Sequence, residues 1–517
     1  MIGTTCQPAS SGSPDTAHPA CHASPDGFLP PQQTKRPLRL TLNGHVTMPQ
    51  PKPIGLVLPS VRFFVTVLGF SLGALASAAS PPPMNVLLIV ADDLRDALGC
   101  YGHLTVKTPH IDALARRGQR FDRTYVQYPV CGPSRTSFMT GWRPEQTRIM
   151  GNGTFFRDVI PDVVTLPQAL RQAGWYTAGY GKVFHSAGDR QKWLDAAHSW
   201  DEAHEAVGID DRPAFTAHRN LTGDKLKWCE WGITVGEGEN QPDYLTASAA
   251  IAAIDRAGEK PWFIAAGFHR PHDPFFAPQQ YFDLYPLASL TPHIDPPGLT
   301  AAPKLAFAPE MHEVFKQFTD QERREYLRAY YACTSFMDAQ VGRVLDALDR
   351  RGLRDRTLVI FIGDNGFHLG EREWWNKVTL FEPSCRVPLI MAGPGVSQGS
   401  TTRGLTELVD LYPTILDYCG ISPVQALAGT SLRPLLENPA GPGKAAAFSL
   451  VTRGTLVGRS VRTARWRYTE WDGGREGIEL YDETADPGEY HDLSRDPAHA
   501  QTMTSLQALF AELPRYP

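Results

Sequence analysis

Asn85-Val-Leu-Leu-Ile-Val-Ala91, preceded by Pro83 and followed by Asp92-Asp93, decides the architecture. A continuous apolar run without polar alternation is how a strand buried on both faces reads. Three further runs repeat it: Pro261-Trp-Phe-Ile-Ala-Ala-Gly267, Thr357-Leu-Val-Ile-Phe-Ile-Gly363 and Val387-Pro-Leu-Ile-Met-Ala-Gly393. Helical patterns lie between or after them, short ones at 111–117, 166–173 and 408–418. The longest spans about 319–349, with Leu327, Tyr330, Tyr331, Thr334, Met337, Val341, Val344, Leu345 and Leu348 on one face. Strands alternating with helices predict an α/β fold with a mostly parallel central sheet flanked by helices.

The chain has 517 residues, 42% hydrophobic and 20% charged, which excludes a disordered, collagenous or coiled-coil protein. Its 44 prolines and 45 glycines argue against a helical bundle. Residues 1–78 hold Asp15, Asp26, Lys35, Arg36, Arg39, Lys52 and Arg62, a net +3, so the following 439 residues carry −8 of the total −5. A body this acidic speaks against nucleic-acid binding, and an anionic substrate needs a local basic site.

Residues 1–47 are rich in Pro, Ser, Ala, Gly and His and read as a disordered or mis-assigned leader. From Met48, the order Lys52, Arg62, an apolar stretch at 63–75 and Ala76-Ser77-Ala78 matches a signal peptide over 48–78, with the true start at Met48. That 13-residue stretch is short for a span of ~20. The expectation is an exported protein, periplasmic or secreted, without a stable membrane anchor. Cys100, Cys131, Cys229, Cys333, Cys385 and Cys419 follow with irregular spacing and no CxxC, which speaks against zinc. Export permits some of them to pair.

The main domain is expected over 84–437. Composition shifts near residue 437, and Pro439-Ala-Gly-Pro-Gly443 reads as a linker. Short strands at 446–451, 456–463 and 466–471 and a helix at 498–513 suggest a small α+β C-terminal subdomain over 444–517. The Pro-rich stretch 271–318 reads as a surface excursion of the kind that shapes active sites.

Two acidic strand ends carry possible chemistry. Ligands of open α/β sheets bind outside the carboxyl ends of strands. Asp92-Asp93 closes the first run, and adjacent carboxylates with oxygen ligands suit Ca²⁺ or Mg²⁺, although an Asp pair capping a helix is the commoner case. Gly363-Asp364-Asn365-Gly366 closes another run, where a tight Asn-Gly turn is the ordinary alternative. Two such ends in one sheet favour a metal. The third element is Cys131-Gly-Pro-Ser-Arg135, leading into a helix with Pro133 in its first turn and Gly141 at its stop. Cys131 then sits where exposed N–H groups favour an anion.

Cys131-Gly-Pro-Ser-Arg135 resembles the signature of the formylglycine-dependent sulfatases, whose cysteine is oxidised to Cα-formylglycine. Gly181-Lys-Val-Phe-His185 resembles the family's Gly-Lys-x-x-His segment. Phe268-His-Arg-Pro-His-Asp-Pro-Phe275, 364–377 and 330–342 resemble the iduronate-2-sulfatase branch, and 480–489 the sulfatase C-terminal subdomain. The likeness covers nearly all of 84–515. It implies an alkaline-phosphatase-like core. In one departure, animal iduronate-2-sulfatases have Asp-His where this chain has Asp364-Asn365. Asn is common there in other sulfatases, so the departure bears on substrate rather than on metal binding.

The resemblance implies a cation, Ca²⁺ with Mg²⁺ as the alternative, held by Asp92, Asp93, residue 131, Asp364 and Asn365. It implies fixed positive charge from Arg135, Lys182 and Lys377. One hydroxyl of the hydrated aldehyde attacks sulfur; the other, deprotonated by His185, expels sulfate. His272 with Lys377 protonates the leaving alcohol. The implied partners are a sulfated sugar or polysaccharide, with 2-O-sulfated uronic acid units, and a formylglycine-generating enzyme during maturation. Structural readings compete residue by residue: His269 as a neighbour, Arg270 as a sugar-carboxylate contact or a surface charge, His368 in the pocket or a loop, Glu371 and Glu373 solvated or structural, Trp374 and Trp375 as packing. Two whole-protein alternatives stand beside the sulfatase. One is a phosphonate monoester hydrolase or phosphodiesterase of the same superfamily. The other is an unmodified, non-catalytic carbohydrate-binding relative.

Overall fold

Successive side chains of a strand point to opposite faces, and here both faces find helices to cover them. The structure is a computed structural model that describes residues 84–185, 192, 194–205 and 213–514; the leader and signal-peptide expectations lie outside them. Strand β1 (Asn85–Asp92) is buried along its whole length. Val86, Leu88 and Val90 join one apolar cluster, and Leu87, Ile89 and Ala91 another.

Eleven more strands follow among the described residues up to 407: β2 (Gln119–Tyr125), β3 (Tyr176–Gly181), β4 (Glu202–His204), β5 (Phe215–Asn220), β6 (Glu230–Thr234), β7 (Trp262–Pro271), β8 (Phe275–Pro278), β9 (Thr357–Gly363), β10 (Arg386–Ala392), β11 (Ser400–Thr402) and β12 (Thr406–Glu407). Nine form one sheet, in the order β11-β2-β10-β9-β1-β7-β3-β4 with β12 also on β2. β9, β1, β7, β3 and β4 run parallel. β10 is antiparallel to both β9 and β2, so the run read at 387–393 is the reversed strand of a mostly parallel sheet.

The longer helices are α1 (Pro109–Arg117), α2 (Cys131–Thr140), α3 (Pro242–Arg256), α4 (Asp320–Arg350) and α5 (Leu411–Cys419). Phe138 and Met139 of α2 and Ile415 of α5 pack on one face of the sheet. Ile111 of α1, Ala250 of α3 and Val344 of α4 pack on the other. α4 starts at a capping box: Thr319 Oγ1 accepts from Glu322 N at 3.3 Å and Glu322 Oε2 accepts from Thr319 N at 2.9 Å. The cap contributes about 1 kcal/mol. Each buried apolar side chain of the stripe contributes ~1.5–3 kcal/mol, so burial fixes where α4 lies.

Two expectations change. The stretch 271–318 is a surface excursion only in its middle, 286–305, where nearly all residues are exposed or half-buried; on either side β8 is buried and pairs with β6, and Phe282, Tyr285, Phe307, Phe315 and Phe318 pack in a cluster with Leu290, Trp374 and Trp375. Among the described residues no disulfide is formed either: Cys100, Cys131, Cys229, Cys333, Cys385 and Cys419 are all free, buried or half-buried thiols.

The C-terminal part is a four-stranded antiparallel sheet, β13 (Ala447–Arg453), β14 (Leu456–Arg462), β15 (Trp466–Trp471) and β16 (Gly477–Asp482). Helix α6 (Ala500–Ala508) and the turn after it cover the sheet, with Leu506 of the helix and Phe510 of the turn against Phe448, Val461, Tyr468 and Leu480. The fold is the expected α/β core with a small α+β unit.

Candidate active site

Parallel strands put their carboxyl ends at one rim, and that rim collects the expected residues. β1 ends in Asp92 and Asp93, β9 leads into Asp364 and Asn365, β3 into Lys182, and β7 ends in the segment that carries His269 and His272. Glycines let these ends crowd together. A Cβ on Gly267 would overlap the Lys182 carbonyl, and Lys182 N donates to Gly267 O at 2.8 Å. Asp93 has φ 59, a strained value for a non-glycine residue. Its backbone is fixed on both sides: its N–H donates to Asp364 Oδ1 at 3.1 Å, and Tyr330 Oη donates to its carbonyl at 2.7 Å.

Cys131 is the first residue of α2, all ten residues of which are buried. Gly132 N donates to Asn152 Oδ1 at 2.8 Å, and Gly141 ends the helix at φ 70. The thiol lies between an anion and a cation. Its Sγ donates to Asp92 Oδ1 at 3.1 Å and accepts from Lys377 Nζ at 2.9 Å. Lys377 also pairs with Asp93, and Lys182 with Asp92. Arg135 Nε donates to Asp364 Oδ2 at 2.8 Å, and its Nη2 lies 3.6 Å from Asp92 Oδ1. His272 Nε2 is 3.6 Å from Asp93 Oδ2. Ligand atoms of Asp92, Asp93, Cys131 and His272 all lie within 4.8 Å of one another.

Electrostatics follows from this crowding. Burial, then Asp92, pushes the Cys131 thiol well above its ordinary 9.0, so the unmodified side chain is a poor nucleophile. Burial pushes Asp364 up to about 7, with Asp92 and Asp93 adding to the rise against the pull of Arg135. Desolvation alone would lower Lys377, but Asp93 and Cys131 raise it well above 10.5. Lys182 is raised in the same way by Asp92. Burial and then Lys182 take His185 down to about 3, which keeps its imidazole neutral.

Asp93 Oδ2 and Asn365 Oδ1 are buried and accept no hydrogen bond. Orphaned acceptors beside three carboxylates are what a hard cation with oxygen ligands satisfies. The donor set therefore fits Ca²⁺ or Mg²⁺.

The outer candidates sort clearly. Arg270 is not a surface charge: it is buried, its Nη1 donates to the carbonyls of His272 at 3.1 Å and Pro274 at 2.7 Å, and the residue lines the cavity beside Lys182 and His272. His269 is buried, with Nε2 3.8 Å from Glu205 Oε1. His368 is a satisfied loop histidine, bonded to Thr379 Oγ1 at 2.8 Å and Glu371 O at 3.2 Å. Glu371 pairs with Arg95 at 2.5 Å, while Glu373 lies 3.8 Å from Arg323. Trp374 and Trp375 are core packing. A cavity of about 270 Å³ opens beside Lys182, His269 and His272, lined also by Asn240, Gln241 and Asp243. Asn152 and Asp243 went unread in the sequence. Asp243 had one weak signal, its place in the first turn of a helix behind Pro242.

A rim of buried cations around a thiol at a helix N-terminus, on an alkaline-phosphatase-like fold, defines a hydrolase that acts on anionic esters. The sulfatase family model matches residues 84–421, and the model described as N-sulphoglucosamine sulphohydrolase, C-terminal, matches 370–515. The chain is 30% identical to iduronate 2-sulfatase from Homo sapiens, over 86% of this chain and 96% of that protein. It is 32% identical to choline-sulfatase from Rhizobium meliloti (strain 1021), over 82% and 85%. A solved structure in complex with its substrate D-glucosamine-2-N,6-O-disulfate is similar at TM-score 0.68 and 21% identity, covering 83% of this chain and 97% of that one. The chain belongs to the sulfatase family.

Proposed function

We propose that this sulfatase removes sulfate from 2-O-sulfated uronic acid units of a sulfated polysaccharide, as an exported enzyme. Its Cys131 is converted to formylglycine by a formylglycine-generating enzyme. The observation that carries the reading is Cys131 itself, held between Asp92 and Lys377 at the N-terminus of α2. As a buried thiol it is inert, yet it stands where a nucleophile would meet a sulfate. Asp92, Asp93, Asp364, Asn365 and residue 131 would hold the divalent cation. When present, the cation supplies positive charge to the sulfate oxygens, and the hydrated aldehyde supplies the attacking hydroxyl.

The chain's own residues do the rest. Arg135, Lys182 and Lys377 fix positive charge where the transition state gains negative charge, and burial strengthens them. Neutral His185 accepts a proton from residue 131. His272 and Lys377 give one to the departing alcohol oxygen. The 2-O-sulfated uronate is supported by the name of the human relative and by the motif at 268–275. A no less similar relative is a choline-sulfatase, so the substrate needs a direct test.

Protein co-expressed with a formylglycine-generating enzyme would be assayed on a 2-O-sulfated uronic acid disaccharide, N- and 6-O-sulfated glucosamine, choline sulfate and a phosphonate monoester. The reading predicts kcat/KM at least ~10-fold higher on the 2-O-sulfated uronate than on any other. A faster phosphonate monoester would overturn sulfate as the substrate group, and a faster sulfated amine would overturn the uronate alone.

A further inference from the structure

β7 loses register with β1 at the rim. Ala91 pairs with Phe268, but Asp92 pairs with Pro271, so His269 and Arg270 bulge out of the ladder. Such a bulge strands backbone N–H groups that a regular sheet would satisfy. Both are taken by one side chain. Asp243 Oδ1 accepts from His269 N at 2.7 Å, and Asp243 Oδ2 accepts from Arg270 N at 3.1 Å. Asp243 is 1% exposed and stands in the first turn of α3, so the clamp is anchored on a rigid element. Beyond the bulge, His272 N donates to His269 O at 2.9 Å, and the His272 ring arrives 3.6 Å from Asp93 Oδ2.

We propose that Asp243 is a positioning residue: by holding both N–H groups of the bulge, it sets where His272 stands and so governs proton delivery to the leaving alcohol. The inference rests on the leaving-group role given to His272 above. It separates two roles for a buried carboxylate. A residue that only held the fold together would affect every substrate equally. One that acts through His272 affects only leaving groups that need a proton.

The test compares Asp243→Asn, His272→Ala and the unaltered enzyme, each co-expressed with the formylglycine-generating enzyme. The substrates are a sulfated disaccharide and 4-nitrophenyl sulfate, whose phenolate leaves without protonation. The rate ratio is taken on one sample, so the folded fraction cancels. Asp243→Asn is expected to lower sugar-sulfate kcat on the order of 100-fold, in the range lost with a general acid, and aryl-sulfate kcat less than ~5-fold, matching His272→Ala. Equal loss on both substrates, or no loss, with His272→Ala still selective, overturns the role of Asp243 and leaves the proposed function standing. An unselective His272→Ala overturns both. A crystal structure of Asp243→Asn gives a readout free of activity: a longer separation between His272 and Asp93 is expected, and an unchanged 3.6 Å would contradict the clamp.

Discussion

Two clusters of buried charge have nearly the same ingredients and opposite character. Where the two parts of the chain meet, Glu407 and Asp410 face Arg143 and Lys444. Arg143 bonds both oxygens of Glu407, at 2.8 and 2.5 Å, and Lys444 reaches Glu407 at 2.6 Å and Asp410 at 2.5 Å. Backbone N–H groups of Phe448 and Thr430 add further bonds, at 3.0 and 2.8 Å. At the strand ends, Asp92, Asp93 and Asp364 face Arg135, Lys182 and Lys377, yet Asp93 Oδ2, Asn365 Oδ1 and Arg135 Nη2 make no hydrogen bond. The first cluster is closed and holds structure together. The second leaves its capacity open, which native proteins tolerate chiefly where a ligand completes the set.

The comparison breaks most sharply at Cys131. Cys131→Ala should lower sulfate-ester turnover by about 10⁴-fold or more, the scale of removing a nucleophile, with the thermal midpoint nearly unchanged by calorimetry. In the closed cluster the signs reverse. Arg143→Met should cost about 1.5–3 kcal/mol in denaturant unfolding, because Glu407 loses its charge-assisted bonds to the guanidinium and keeps Lys444 and a backbone N–H, while kcat of the folded enzyme stays the same. Chelation tests the open cluster as a ligand site. Exhaustive removal of divalent cations should abolish turnover and lower unfolding free energy by about 2.7 kcal/mol relative to protein at 100-fold excess over Kd, both restored by Ca²⁺ or Mg²⁺. Unchanged stability on chelation would close the gap between the clusters.

The smallest effect concerns pH. Glu371 is satisfied at both oxygens, by Arg95 and by Leu369 N at 2.7 Å, and so belongs with the closed type. Burial pushes it up, but Arg95 and His368 prevail and hold it at about 2 against its ordinary 4.5. A depressed folded pKa stabilises above the unfolded value and is lost as pH falls through the folded one. The stability difference between the protein and Glu371→Gln should therefore be full above pH 4.5 and shrink toward pH 2, as read from denaturant titrations.

What the sequence disclosed follows the same division. β1 and β9 were legible because burial on both faces writes an unbroken apolar run. β3 was not: Tyr176-Thr-Ala-Gly-Tyr-Gly181 is half glycine and threonine, chosen for close approach, since a Cβ on Gly179 would stand 2.8 Å from the Trp200 ring. β16 carries mixed polarity and was hidden in the same way. The open cluster was readable because its residues sit in short local motifs at strand ends, where chemistry constrains neighbours. The closed one was not, since Arg143 and Glu407 lie 264 residues apart and only folding joins them. Asp243 escaped for a related reason. Its function depends on a bulge in another strand, and no local pattern announces that.

The most direct test of the account is mass spectrometry of the tryptic peptide that contains Cys131, from protein co-expressed with a formylglycine-generating enzyme. A loss of about 18 Da relative to the thiol peptide is predicted, because oxidation at the thiol carbon turns CH₂SH into CHO. An intact thiol in protein that still hydrolyses sulfate esters would contradict it.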